Sequence, residues 1–222
     1  MAIETEEKFV MDVNIFNEKY REHCKERHTL SQAYINEQSD WDVLLGLDKN
    51  GQGFVLVKSR INTSSTAFPI DPKDVKEMMA CDGVDLVCQE QALFKVDSSS
   101  WALRIRIIDE AEAIFCFKER IAGASRREYE TSIPITSAEA IYETLTARIS
   151  KVRHLFEYSG YLWEIDIFLD KNEGLCLAEI ETEDTDFPLI DGLTKKVTQD
   201  RRYYNAELVE NPFNNWGCAD CN

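Results

Sequence analysis

Strict alternation of side-chain character is what most limits the folds open to this chain. The stretches "WALRIRI", "AIFCFKER", "SRREYETSI", "YLWEIDIFL" and "LCLAEIETE" switch between apolar and polar at nearly every residue, and turn-like segments separate them. A period of two belongs to strands with two unlike faces. The N-terminal "AIETEEKFV" follows the same rule. The class is therefore α+β, dominated by antiparallel strands.

Sorting every strand by parity gives two consistent faces. One collects Leu103, Ile105, Ile107, Phe115, Phe117, Tyr129, Trp163, Ile165, Ile167, Ala178 and Ile180. The other collects Glu4, Glu6 and Lys8; Arg104 and Arg106; Lys118; Arg126, Glu128 and Glu130; Lys151 and Arg153; Glu164 and Asp166; Glu179 and Glu181. A face that only meets water commonly mixes charged with neutral polar residues. Here almost every polar position is charged, and arginine, suited to planar phosphate recognition, is prominent. The carboxylates come in i, i+2 pairs, about 7 Å apart on one strand face, close enough to share a hard cation with a neighbouring strand. If the sheet closes into a barrel, this face becomes a lumen. Such a lumen suits a polyphosphate together with Mg²⁺ or Mn²⁺.

Helices occupy the intervals. "PITSAEAIYETLTARI" places Thr136 and Glu139 at capping-box spacing, with Ile141, Leu145 and Ile149 four residues apart. "IDPKDVKEMMA" offers Asp71 as a cap and Pro72 at the first helical position. "NIFNEKYREHCKER" is a third helical stretch. An internal repeat aligns residues 32–60 with 91–120: Gln32 with Gln91, Trp41 with Trp101, Lys58 with Lys118 and Arg60 with Arg120. Each copy leads to a Pro-Ile and a helix, which reads as a duplicated strand–strand–helix unit. The copies differ where charge matters, since Val43-Leu44-Leu45-Gly46-Leu47 stands where Leu103-Arg104-Ile105-Arg106-Ile107 stands. An uncharged strand cannot line a polyanion tunnel, so residues 32–80 are expected to form an accessory unit that covers one edge or end of the barrel or forms an interface with another subunit, as in a homodimer.

The formal net charge of −16 argues against a nucleic-acid partner bound through a basic surface. No apolar run approaches the roughly 20 residues that span a bilayer, and the acidic N-terminus has no signal core. The expectation is a cytoplasmic protein without a membrane partner. Seven cysteines, an odd number, include Cys116 and Cys176 inside apolar strands, where reduced buried thiols are expected. Cys218 and Cys221 make a terminal Cys-x-x-Cys, which reads as a frayed tail ahead of a metal or redox site.

These residues resemble a known family. Glu4-Thr5-Glu6-Glu7-Lys8 matches the E-x-E-x-K signature of the CYTH superfamily, the triphosphate tunnel metalloenzymes. "LRIRI", "FCFKER", "SRREYETSIP", "ISKVRHLFEYSGYLWEIDIF", "GLCLAEIETE" and "VTQDRRYYNAEL" follow in the family's order. The chain is most similar to the short enzymes that hydrolyse inorganic triphosphate. The resemblance implies a closed eight-stranded antiparallel tunnel with flanking helices, in one domain over 1–222, with 10–90 holding the accessory duplicated unit. It implies metal ligands Glu4, Glu6, Asp166, Glu179 and Glu181 for Mg²⁺ or Mn²⁺. It implies phosphate binding by Lys8, Arg104, Arg106, Lys118, Arg126, Lys151 and Arg153. Glu128 and Glu130 would be accessory luminal groups. Glu6, Lys118 and Glu181 would carry the catalysis, Lys118 at the leaving group. The function implied is metal-dependent hydrolysis of a small-molecule triphosphate. An adenylate cyclase, a nucleoside, RNA or thiamine triphosphatase, and a non-catalytic polyphosphate binder are the competing readings.

Overall fold

The structure, a computed structural model, describes residues 2–82, 93–121 and 125–217. In chain order the elements are β1 (Ala2–Met11), α1 (Val13–Lys19), β2 (Glu26–Ile35), β3 (Trp41–Leu47), β4 (Gly53–Ser59), β5 (Ser65–Ile70) and α2 (Pro72–Cys81). There follow β6 (Phe94–Lys95), β7 (Trp101–Ile108), β8 (Glu112–Glu119), β9 (Ser125–Ser132), α3 (Ile135–Tyr142), β10 (Arg148–Tyr158), β11 (Tyr161–Phe168), β12 (Cys176–Glu181), β13 (Leu193–Lys196) and α4 (Asn205–Glu210). The protein is α+β, mostly antiparallel sheet with few helices.

A nine-stranded sheet runs β12-β11-β10-β2-β7-β8-β9-β1-β13, and β12 also pairs with β1. The antiparallel pairings thus pass from β1 through β9, β8, β7, β2, β10, β11 and β12 and return to β1. On its other edge β1 is shared, Ala2–Thr5 pairing β9 and Phe9–Met11 pairing β13.

A second sheet, β5-β4-β3-β6, takes its β3–β4 hairpin from residues 32–60, β5 from the segment that follows, and β6 from the start of residues 91–120. Its hairpin has the register of the second copy's hairpin: Trp41 opposite Ser59 and Val43 opposite Val57, against Trp101 opposite Glu119 and Leu103 opposite Phe117. The arginines match too. Arg60 N–H donates to the Asp40 carbonyl at 2.8 Å, and Arg120 N–H to that of Ser100 at 2.9 Å. The two tryptophans reach across to the other copy. Trp41 Nε1 donates to Thr144 beyond α3 at 2.7 Å, and Trp101 Nε1 to Asp82 beyond α2 at 3.2 Å.

Apolar faces join the two hairpins. Val43, Leu45, Val55, Val57 and Phe68 share one buried cluster with Leu103, Ile105, Phe115, Phe117 and Tyr129, and α2 and α3 add Val75, Met78, Met79, Ala138 and Ile141. The unit therefore covers a broad face of the β7–β9 wall, where an edge, an end or a subunit interface was expected. Its boundary also shifts: β2, inside the 10–90 segment, is a full member of the large sheet between β10 and β7. The strand completing that sheet is thus "QAYI" of the first copy. Gln91, its counterpart, lies outside the described residues, as do Cys88, Cys218 and Cys221.

Two helix expectations change. The capping box fails, because Pro134 occupies the cap with no side-chain bond and Thr136 is already inside α3. That helix stops at Tyr142, since Arg148 starts β10 and caps the preceding carbonyls of Tyr142, Glu143 and Leu145. Ile149 consequently belongs to a strand. The "NIFNEKYREHCKER" helix is short, and β2 begins at Glu26. Asp71 does cap α2, accepting from Lys73 N–H at 2.8 Å. Cys116 and Cys176 are buried free thiols, as expected.

Phe115 is fully buried between the two sheets. Phe115→Ala should cost about 3–5 kcal/mol in urea unfolding, whereas Leu56→Ala, on the half-buried outer face of the small sheet, should cost about 1 kcal/mol. Equal losses would show that the two sheets do not share one core.

Candidate active site

The charged face of the large sheet surrounds a cavity of about 260 Å³. Glu6, Lys8, Arg104, Arg106, Lys118, Glu128, Glu130, Lys151, Arg153, Glu164, Glu179 and Glu181 line it. Parity alone brings these side chains together from seven strands, since each lies at an inward step of its strand. The side chains of Glu4 and Arg126 lie outside the described atoms; their backbones pair across β1 and β9.

Six of the cations that line the cavity come from its strands, and each of the six holds a carboxylate. Lys8 lies 2.9 Å from Glu179 and 3.5 Å from Glu6. Lys118 is 2.6 Å from Glu128 and 3.8 Å from Glu6. Arg104 is 3.0 Å from Glu128, and Arg106 is 2.7 Å from Glu130. Arg153 contacts Glu164, Asp166 at 2.7 Å and Glu179 at 3.3 Å. Lys151, fully buried, pairs with Asp166.

Burial acts on all these groups, and the outcome depends on their partners. Burial pushes the Glu179 carboxyl up, yet Lys8, Lys151 and Arg153 together hold it well below the usual carboxylate range. Asp166 likewise is held low against its burial by Arg153 and Lys151. Burial draws Lys151 below the ordinary lysine value. Glu181 has less cationic support: burial raises it, and Glu6 and Glu128 add to the rise while Lys118 opposes it.

Asp166 departs from the role first assigned to it. It does not line the cavity, its oxygens are taken by Lys151 and Arg153, and it positions those cations instead of facing a metal. Carboxylates able to hold a divalent cation also face each other between β1 and β12, where Lys8 and Lys118 lie beside Glu6. There Glu6 stands directly opposite Glu181 in register, and like charges across a ladder are unfavourable unless something positive joins them. Oxygen-only ligands of this kind match a hard cation. A second cluster joins Cys116, Glu128 and Glu130, whose ligand atoms lie within 4.8 Å of one another. Arg104 already engages all three, and the Cys116 thiol, pushed well above its ordinary pKa by burial, donates to Glu128 at 2.8 Å.

The wall also contains residues that charge sorting did not find. Gln32 and Tyr34 of β2 face the cavity, as do Tyr204, Asn205 and Glu207 at its C-terminal end. Lys8 lies 5.4 Å from the Tyr204 ring centroid. The inward face of β2 reads Leu30, Gln32, Tyr34, so no charge flags it. The period-two pattern of "LSQAYI" was the available signal.

Asp166→Asn should destabilise the protein by about 3–5 kcal/mol at pH 7, because it strands the buried Lys151 and takes one of three carboxylates from Arg153. The folded pKa of Asp166 is depressed, so its contribution is present above the unfolded value and lost as pH falls through the folded one. The deficit of the variant, measured by urea melts, should therefore shrink below about pH 4. A deficit constant with pH would remove the ion-pair account.

The CYTH domain family model matches residues 91–207. An inorganic triphosphatase of Acetivibrio thermocellus is 40% identical over 119 residues, covering 52% of this chain and 76% of that protein. Among solved structures, the crystal structure of the hypothetical protein NE1496 aligns with a TM-score of 0.50 at 20% identity, over 93% of this chain and 97% of that one. A structure described as the inorganic triphosphatase NE1496 aligns at 0.49 and 20% identity, over 94% and 95%. The first of these likenesses concerns fold alone. No helix among the described residues is long and apolar enough to cross a membrane. The chain belongs to the CYTH domain family.

Proposed function

We propose that the returning ring of strand pairs is a closed eight-stranded tunnel, and that the protein hydrolyses inorganic triphosphate there with Mg²⁺ or Mn²⁺. The observation that carries this reading is the alternation of six strand-borne cations and their carboxylates around one cavity. The kinship with the Acetivibrio inorganic triphosphatase supports the choice of substrate.

Lys8, Arg104, Arg106, Lys118, Lys151 and Arg153, with Arg126, would hold phosphoryl oxygens and keep the chain extended along the tunnel. Glu6 and Glu181, with Glu4 and Glu179, would hold the metal. When bound, a divalent ion neutralises phosphoryl charge and lowers the pKa of the water it carries. Phosphoryl transfer asks little covalent chemistry of a protein and much positioned charge. Lys118 stands between Glu128 and Glu6, where the phosphate-binding and carboxylate groups meet, and there it stabilises charge developing on the leaving diphosphate. Glu128 and Glu130 hold Arg104, Arg106 and Lys118 at fixed angles.

Phosphate release from triphosphate, ATP, GTP and thiamine triphosphate, with each metal and with EDTA, tests the reading. Inorganic triphosphate should turn over fastest, and EDTA should abolish turnover. Glu6→Gln, Glu181→Gln and Lys118→Ala should each lower the rate by about 10²–10³-fold, the scale of one lost stabilising group. Lys58→Ala should not, because Lys58 is exposed on β4. Undiminished turnover in EDTA would remove the metal, and equal losses at Lys58 and Lys118 would move the site.

A further inference from the structure

We propose that Gln32 is a positioning residue which, with Arg106, holds one O–H group of the reacting complex; this rests on the triphosphatase reading above. Gln32 is 1% exposed and lines the cavity. Its Oε1 has no hydrogen-bond partner among the described residues. Arg106 stands opposite it in the β2–β7 register. The Arg106 Nη2 group is engaged by Glu130 at 2.7 Å, but its buried Nε also has no partner. So an unused acceptor and an unused donor sit on neighbouring strands, on the same inward face.

The surroundings do not meet these needs. On the other side of Gln32, β10 offers Ile149, which is apolar. Along β2, Leu30 is apolar and the Tyr34 hydroxyl is engaged by Arg104. Lys151, one inward step away on β10, is committed to Asp166. In register, the charged residues nearest Gln32 on the inward face are Arg106 opposite it and, one inward step away, Arg104 on β7 and Lys151 on β10.

Chemistry narrows what can satisfy both atoms. An ionised phosphoryl oxygen accepts from Arg106 but offers nothing to Gln32 Oε1. A metal cation or an ammonium group serves Gln32 but cannot accept from Arg106. Only a group that both donates and accepts through one oxygen serves the pair. In a triphosphate site that group is a protonated phosphoryl oxygen or a water. Both are O–H groups, and they differ in which kinetic constant they govern. A buried unsatisfied acceptor also destabilises the empty protein, a usual mark of a group kept for its ligand.

The test is Gln32→Met, which matches the volume and removes the acceptor. Its melting temperature without substrate should equal or exceed that of the wild type. Triphosphate binding by calorimetry and steady-state kinetics should be followed from pH 5.5 to 8.5. If Gln32 holds a phosphoryl hydroxyl, affinity and KM should weaken by about tenfold at low pH and lose their dependence on the protonation of the substrate. If it holds the attacking water, kcat should fall by at least about tenfold with KM unchanged. In either case the effects of Gln32→Met and Arg106→Lys should be non-additive. Unchanged constants, or a lowered melting temperature that accounts for the loss of activity, would overturn the proposal. A wild type that binds triphosphate but releases no phosphate would overturn the hydrolase reading and the water arm, leaving the calorimetric arm to decide for or against Gln32.

Discussion

Charge compensation inside the large sheet is the constraint on which the rest of the structure depends. Lys151 and Asp166 are both fully buried, and Lys8, Arg104, Glu6, Glu128 and Glu179 are nearly so. Unpaired, any one of them would be costly to bury. Paired, they make a wall that is rigid and close to electrically balanced. A polyanion entering such a wall must take cations away from carboxylates, and the released carboxylates then need a cation of their own. A metal ion and a phosphate chain arriving together exchange one set of partners for another without leaving charge exposed. The pairing that stabilises the empty fold is therefore also what couples the two ligands in the proposed reaction.

The two hairpins show how little separates a site wall from a supporting layer. They share strand register and the hydrogen bond of the closing arginine. Their apolar faces pack on one another, so each is left with one other face. In β7 and β8 that face carries Arg104, Arg106 and Lys118 and meets the cavity. In β3 and β4 it carries Leu44, Leu56 and the exposed Lys58. The backbone is the same, and the identity of a few inward residues decides the use.

Much of this was legible because period two is a strong signal. The parity of Arg104, Lys118, Glu128, Arg153 and Glu179 follows from alternation alone, and each reaches the cavity. Asp166 shared their parity but not their fate, because its place beside two cations depends on depth within the sheet wall, which alternation does not encode. Gln32 and Tyr34 were missed because charge was the filter, and a neutral inward face carries none. The end of α3 was misjudged because Ile149 continued the four-residue spacing while its real partners, among them Tyr34 and Phe168, lie on other strands.

The path of the chain between β2 and β7 follows from the same economy of faces. These strands pair directly, yet the whole four-stranded sheet and α2 lie between them in sequence. Closing a longer loop adds only a slowly growing entropy, about 0.6 kcal/mol for each doubling of length. An excursion that folds and buries an apolar face recovers far more than that, at about 25 cal/mol for each Å² of apolar surface removed from water. The outer face of β7–β9, with Leu103, Ile105, Phe115 and Phe117, would otherwise meet solvent. The inserted sheet covers it without touching the cavity side. The segment between β1 and β7 therefore divides its roles at Ile35: up to that residue it lines the cavity and supplies Gln32, and beyond it the chain shields the apolar face of β7–β9.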